Sequence, residues 1–135
     1  MLLPTTETCR TIRAPSQNED DDPEILRPVL ARFAAGWGAS VDCGEGWWPL
    51  IAELDRDIAA IESACEVHQI KEKFGGLRFY YAGGTGNDAR IDELIAQAER
   101  VAAQTCELCG APGRARGIGL IRTVCDEHAE GRLDL

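Results

Sequence analysis

The chain has 135 residues, of which 44% are hydrophobic and 27% are charged, so it is long enough to bury a core and is expected to form one domain. Its formal net charge is −9, with the largest excess of acids before residue 60, which disfavours nonspecific binding to nucleic acids or anionic lipids. No apolar run is long enough to span a membrane and the N-terminus lacks the pattern of a secretory signal, so we expect a cytoplasmic protein without a membrane partner.

Residues 1–22 contain few apolar side chains and an acidic run, so little burial would offset the entropy of ordering them. We expect a poorly ordered N-terminal tail there. A helix is predicted to follow as far as about Ala35, because Pro23 suits the first helical position. Pro28 removes a backbone donor beyond the first turn, so this helix is expected either to begin nearer Arg27 or to be kinked.

A glycine-rich turn with two tryptophans, Cys43–Pro49, overlaps the start of a second predicted helix that runs from about Trp47 to Ala64. The apolar residues of this helix recur at helical spacing and define one face toward a core: Leu50, Ile51, Leu54, Ile58 and Ile61. We expect Trp47 and Trp48 to cover that core. If they are exposed, they would instead anchor a protein partner, since tryptophan is enriched at binding hot spots.

The segment Val67–Tyr81 is predicted to form a β-hairpin with its turn at Gly75-Gly76, since glycine accepts the positive φ angles of tight turns. Alternation places two apolar sets on the core face: His68, Ile70 and Phe74 on the first strand, and Leu77, Phe79 and Tyr81 on the second. The three bases then lie on the solvated face: Lys71, Lys73 and Arg78. The same mixture of bases and aromatics is also compatible with binding single-stranded nucleic acid, so two interpretations remain open.

A third helix is predicted from Asn87 or Asp88, either of which can cap it, to about Gln104. Its apolar stripe comprises Ile91, Leu94, Ile95, Ala98, Val101 and Ala102. The helix ends immediately before a cysteine-rich C-terminal segment.

Four side chains that bind metals occur in two close pairs in that segment: Cys106, Cys109, Cys125 and His128. A Cys-x-x-Cys turn presents two thiolates to one ion and a second pair completes a tetrahedron, which is the ligand pattern of structural zinc. Three thiolates and one imidazole leave no position for water or substrate, so we expect zinc as a structural cofactor. The alternative is two reduced cysteine pairs without metal, or a disulfide between them.

The residues around these pairs favour the zinc interpretation. Gly110 allows the tight turn in which backbone N–H groups approach the sulfurs, and a short hairpin is predicted from Arg114 to Thr123. The acids after Cys125 are typical of a helix N-terminus. Together these features resemble the treble-clef arrangement. The remaining cysteines show no pairing spacing and are expected to be free thiols: Cys9, Cys43 and Cys65.

Three further motifs stand together in this chain: Cys-Gly-x-Gly-Trp at Cys43–Trp47, Lys-Glu-Lys-Phe-Gly-Gly-Leu-Arg-Phe-Tyr at Lys71–Tyr80, and a terminal Thr-Cys-x-x-Cys-Gly-x-Pro-Gly with Cys-x-x-His. In these motifs the chain resembles a group of uncharacterised small proteins of bacteria and their phages. The resemblance covers roughly residues 40–130. It implies that the hairpin, the tryptophan turn and the zinc module belong to one unit in a phage or mobile-element setting, and it implies no activity.

These observations predict an α+β fold in which helices pack on a β-hairpin and a treble-clef-like zinc module forms the C-terminal part. The expected division of the chain is a tail at 1–22, an α+β core at 23–104 and a zinc-binding module at 105–135.

The sequence indicates a binding protein rather than an enzyme, because it contains no nucleophile elbow, two-histidine helix or second metal cluster. The leading hypothesis is interaction with an unidentified protein partner through the tryptophan turn and the hairpin, at Trp47, Trp48, Lys71, Lys73 and Arg78. A nucleic-acid-binding accessory factor that uses the hairpin and the zinc module is the alternative. An enzyme with unidentified catalytic groups is the third hypothesis.

Overall fold

The computed structural model describes residues 23–36 and 38–129. These residues form a mixed α+β fold with three α-helices: α1 at Arg27–Leu30, α2 at Trp48–Ile61 and α3 at Asp88–Ala102. They also form five strands: β1 at Val41–Asp42, β2 at Val67–Lys73, β3 at Gly76–Tyr81, β4 at Arg114–Arg116 and β5 at Arg122–Val124. The predicted α+β class is confirmed. The predicted tail, residues 1–22, and the end of the predicted zinc module, residues 130–135, lie outside the described residues.

The larger sheet has the order β1-β2-β3, with β1 parallel to β2 and β2 antiparallel to β3. Strands β2 and β3 form the predicted hairpin. Strand β2 contains a bulge at His68, because Val67 and Gln69 pair with adjacent residues of β3. The extra residue lets Val67 and Ile70, which are three positions apart, both face the core, where they are 1% and 0% exposed.

The turn between β2 and β3 is shifted by one residue from its predicted position. Lys73 pairs with Gly76, so the two turn residues are Phe74 and Gly75. Both have positive φ angles, 55° and 80°, as in a type I′ turn. The carboxylate of Glu72 supports this turn by accepting the N–H of Gly75 at 2.8 Å. Phe74 is therefore 68% exposed, and its predicted place on the core face is wrong.

Helices α2 and α3 pack against each other, and α3 also packs on β3. Both helices bury most of their predicted apolar stripes: Ile51, Leu54, Ile58, Ile91, Ile95, Ala98 and Ala102. The other stripe residues Leu50, Ile61 and Leu94 are only partly buried, and Val101 is 52% exposed. The sheet and α1 complete this core with further buried side chains: Leu26, Val29, Val41, Trp47, Val67, Ile70, Leu77 and Phe79. In the part of the chain that the structure describes, no helix has the length and apolar character needed to cross a membrane.

Helix α1 is shorter than predicted. It begins at Arg27 with Pro28 in its first turn, which agrees with the expected shift of its start. It ends well before Ala35, because the residues that follow it pair with the beginning of β2. There the N–H of Ala34 donates to the carbonyl oxygen of Val67 at 2.9 Å, and Phe33 forms a parallel bridge to the same residue.

The tryptophan turn lies directly against the start of the C-terminal module. The N–H of Gly46 donates to the carbonyl oxygen of Glu107, and the indole Nε1 of Trp47 donates to that of Thr105, each at 2.8 Å. The backbones are so close that a Cβ at Gly46 would overlap the carbonyl oxygen of Cys106. Glycine is required at this position because no side chain fits between the two segments.

We predict that Gly46→Ala lowers the free energy of unfolding by about 1–3 kcal/mol. The new methyl group would also lie 2.6 Å from the backbone nitrogen of Gly110, so main chain must move to admit it. Gly38→Ala is the matched control, because Gly38 has no heavy atom within 4 Å of its would-be Cβ. Urea denaturation followed by tryptophan fluorescence measures both variants. Equal stability of the two would contradict the close approach.

Candidate metal centre

Strands β4 and β5 form a second, two-stranded antiparallel sheet. Four side chains of the C-terminal module lie close together near it: Cys106, Cys109, Cys125 and His128. Their ligand atoms all lie within 4.8 Å of one another. The sulfurs of Cys109 and Cys125 are 3.7 Å apart, and Nδ1 of His128 lies 3.1 Å from the sulfur of Cys125 and 3.7 Å from that of Cys106. The structure therefore brings together all four residues that were predicted as metal ligands.

These separations fit a single tetrahedrally bound ion. Sulfurs bound to zinc at about 2.3 Å in a tetrahedron are roughly 3.8 Å apart, close to the 3.7 Å between Cys109 and Cys125. A disulfide requires a sulfur–sulfur distance of about 2.05 Å, so a bond between these two cysteines does not fit. None of the five cysteines in residues 23–36 and 38–129 forms a disulfide. The cluster is a candidate metal site with three sulfur donors and one nitrogen donor.

The first ligand pair lies in a tight turn immediately after α3. The N–H of Gly110 donates to the carbonyl oxygen of Cys106 at 2.9 Å, and Gly110 has a φ of 84°, a left-handed conformation that favours glycine. The N–H of Cys106 donates to the carbonyl oxygen of Ala111 at 2.7 Å. These bonds fold the segment back on itself and point the two thiols of the Cys-x-x-Cys motif toward the same place.

The second ligand pair follows the β4–β5 hairpin, which lies where the sequence predicts it. Cys125 comes directly after β5 and occupies the N-cap position of a 3-10 helix, Asp126–His128. The N–H of His128 donates to the carbonyl oxygen of Cys125 at 3.1 Å, so one helical turn holds the two ligands together. The predicted helix start after Cys125 is thus present as a 3-10 turn.

The surroundings of the Cys106 and Cys125 thiols shift their pKa values in opposite directions. Burial opposes ionisation of Cys125, but hydrogen bonds from the ring and backbone N–H of His128 and from the neighbouring thiols lower the pKa of the Cys125 thiol from 9.0 to about 7. Burial raises the pKa of the Cys106 thiol to about 11, despite hydrogen bonds from backbone N–H groups. Cys125 is therefore the more acidic of these two thiols.

A buried carboxylate, which the sequence analysis did not single out, lies between the two cysteines of the first pair. Glu107 is 2% exposed, and its Oε1 accepts hydrogen bonds from the guanidinium of Arg122 at 2.9 and 3.0 Å. Its Oε2 accepts the N–H of Gly44 at 2.8 Å. Its own N–H donates to the carbonyl oxygen of Thr123 at 2.9 Å. This residue thus connects the ligand turn to β5 and to the tryptophan turn.

Cys43 lies beside this carboxylate and outside the metal cluster. Burial, followed by the negative charge of Glu107, raises the pKa of the Cys43 thiol well above its usual range. Burial also raises the pKa of the Cys65 thiol. Both remain protonated free thiols, as predicted for cysteines without a pairing partner, whereas Cys9 lies outside the described residues.

Trp47 does not lie where a partner can touch it. Its side chain is fully buried, and its indole N–H is used inside the protein by Thr105. The assignment of Trp47 to partner binding is therefore corrected: the side chain fills the contact between the core and the C-terminal module. Trp48 is partly buried against the same core, and its role in partner binding stays a prediction.

The three predicted basic contacts lie on the side of the β2–β3 hairpin that faces away from the core. Lys71 stands directly opposite Arg78 on β3 and opposite Asp42 on β1. Lys73 is exposed at the end of β2, where its Nζ lies 5.5 Å from the centre of the Phe74 ring. The bases are thus on the solvated face, as predicted, and their contact with a partner stays a prediction.

The fold and the cluster define a small mixed α+β protein with a candidate metal site of three cysteines and one histidine. Comparison with known proteins finds no matching family model, no similar curated protein and no similar solved structure. The resemblance to small bacterial and phage proteins therefore stays a prediction.

We predict that the purified, reduced protein contains one zinc ion per chain, because the four donors match the ligand types and spacing that zinc prefers. Cys109→Ser should abolish stoichiometric zinc, whereas Cys65→Ala should retain it, since Cys65 lies outside the cluster. Elemental analysis after removal of loosely bound metal measures both. Zinc-free wild-type protein, or equal zinc in the two variants, would contradict the assignment.

We also predict that Glu107→Ala lowers the free energy of unfolding by about 2–3 kcal/mol. The substitution removes the partner of Arg122 and leaves the N–H of Gly44 without its acceptor in a buried place. Glu127→Ala is the control, because Glu127 lies in the same module but is exposed. Chemical denaturation of both variants in the presence of zinc measures the difference. A loss within about 0.5 kcal/mol for Glu107→Ala would contradict the role of this carboxylate.

Proposed function

We propose that this protein is a small non-enzymatic binding protein whose cluster of three cysteines and one histidine holds one structural zinc ion. Sulfur and imidazole are ligands that zinc prefers, and the four donors fill a tetrahedral shell. A zinc ion held in this way has no free position for substrate or water. Its contribution is to fold the C-terminal segment, which has a buried cluster of only three residues of its own among those described: Cys106, Val124 and Cys125.

The C-terminal module is proposed to be treble-clef-like. Three observations support this proposal: a cysteine turn that ends at Gly110, the β4–β5 hairpin, and a second ligand pair in the 3-10 turn after Cys125. They occur in the order that the sequence resemblance to such modules implies.

A protein partner is the best-supported ligand, and exposed apolar side chains carry this proposal. Three of the most exposed large apolar residues lie at the ends of the two hairpins: Phe74 at 68%, Ile118 at 78% and Leu120 at 69%. Apolar groups that are held in water in this way mark interaction sites more often than random positions do. We name the surface formed by Phe74, Ile118 and Leu120 the hairpin-tip surface.

A nucleic acid is the second candidate, favoured by one specific observation. Tyr80 is 46% exposed and lies on the same outward side of the hairpin as Lys71 and Arg78, so an aromatic ring and two cations share one face. The net charge of −9 and the position of Asp42 opposite Lys71 weaken this candidate.

We predict that zinc-loaded protein captures a protein partner from lysate of the cells that produce it, and that the double variant Phe74→Ser/Leu120→Ser loses this capture. Val101→Ser is the matched control, because Val101 is also an exposed apolar residue, at 52%, but lies on α3. Quantitative mass spectrometry of the bound fractions measures the difference. Equal capture by the double variant and the wild type, or recovery of nucleic acid alone, would contradict the proposal.

A further inference from the structure

The two hairpins meet at their ends. The hydroxyl of Thr123 on β5 donates to the carbonyl oxygen of Gly75 in the β2–β3 turn at 2.6 Å, and this bond is buried. A Cβ at Gly75 would lie 3.0 Å from Cγ2 of Ile121, so the turn rests on the chain just before β5. Phe74 directly precedes Gly75 and Leu120 directly precedes Ile121. The hairpin-tip surface therefore comes from two segments that are fastened to each other.

The loop that carries Ile118 and Leu120 has a defined conformation. Gly117 has a φ of 121° and is buried, and a Cβ there would overlap the carbonyl oxygen of Leu120. Gly119 has a φ of 82°. Both glycines thus adopt a backbone conformation that other residues rarely reach, and together they turn the two aliphatic side chains outward.

The charge around the hairpin-tip surface is opposite to that of the whole protein. The strands and turns of the two hairpins, residues 67–81 and 114–124, contain six bases and one acid, although the net charge of the chain is −9. The single acid is Glu72, whose carboxylate accepts the N–H of Gly75. Two of the bases are held internally, Arg116 by Asp126 and Arg122 by Glu107. Three bases of the β2–β3 hairpin are at least partly exposed: Lys71, Lys73 and Arg78.

Resting on the proposed function as a protein-binding module, we infer that the hairpin-tip surface binds an extended peptide segment in which acidic residues alternate with large apolar ones. The apolar side chains of such a segment would cover Phe74, Ile118 and Leu120, and its carboxylates would face the exposed bases. Single-stranded nucleic acid would also supply negative charge. However, two of the three apolar side chains are aliphatic and offer no aromatic face on which a base can stack.

Selection from a library of random short peptides displayed on yeast tests this inference with the full-length zinc-loaded protein. We expect the enriched peptides to carry net negative charge and at least two large apolar residues. Their binding should fall roughly tenfold or more with Phe74→Ser, Leu120→Ser or Lys73→Glu, and should weaken as salt is raised. Val101→Ser and Arg100→Glu are the controls, since both residues are exposed on α3 and should leave binding unchanged.

Several outcomes would overturn the inference. In the selection, these are enrichment of basic or neutral peptides, or no enrichment above that obtained with the double variant Phe74→Ser/Leu120→Ser. In a direct titration, it is tighter binding of a labelled oligothymidylate than of any selected peptide. In sedimentation equilibrium, it is self-association of the protein that Leu120→Ser abolishes. Failure of this inference is distinguishable from failure of the proposed function. If the partner captured from lysate is retained by the hairpin-tip variants but lost by a variant elsewhere, the protein is still a binding module and only this surface is wrong.

Discussion

The joining of the core to the C-terminal module depends on one buried carboxylate, that of Glu107. A buried carboxylate without partners costs several kcal/mol, so it is tolerated when it is paired with a cation and hydrogen-bonded. Here one oxygen accepts the guanidinium of Arg122 and the other accepts the N–H of Gly44. Because Glu107 lies between two metal-binding cysteines, the position of the ligand turn is tied to both segments. The metal cluster, β5 and the tryptophan turn therefore fold as connected parts.

Features that depend on short stretches of sequence could be predicted well. The stripes of α2 and α3 follow from apolar spacing alone, and the four candidate metal ligands follow from two pairs with the spacing of a zinc site. The delayed start of α1 follows from Pro28. In each case the residues that produce the feature lie within a few positions of it, so a short sequence pattern is enough to predict it.

Features that depend on distant partners could not be predicted. The burial of Trp47 was expected, but its hydrogen-bond partner was not, because the carbonyl oxygen of Thr105 that accepts its indole N–H lies far away in the chain. The turn falls at Phe74-Gly75 rather than one residue later because Glu72 and β5 bind that form of it.

The conformation of Phe74 lowers folding stability at a residue of the proposed binding surface. A residue other than glycine with a φ of 55° carries roughly 1–2 kcal/mol of backbone strain, and this residue also exposes an aromatic ring to water. A glycine in the same place would relieve the strain and remove the exposed ring at once. The chain therefore holds at this turn a side chain that its own folding does not need, in the way that functional positions often depart from the most stable choice. Stabilising this protein by design would thus begin at a residue of the surface that we propose for binding.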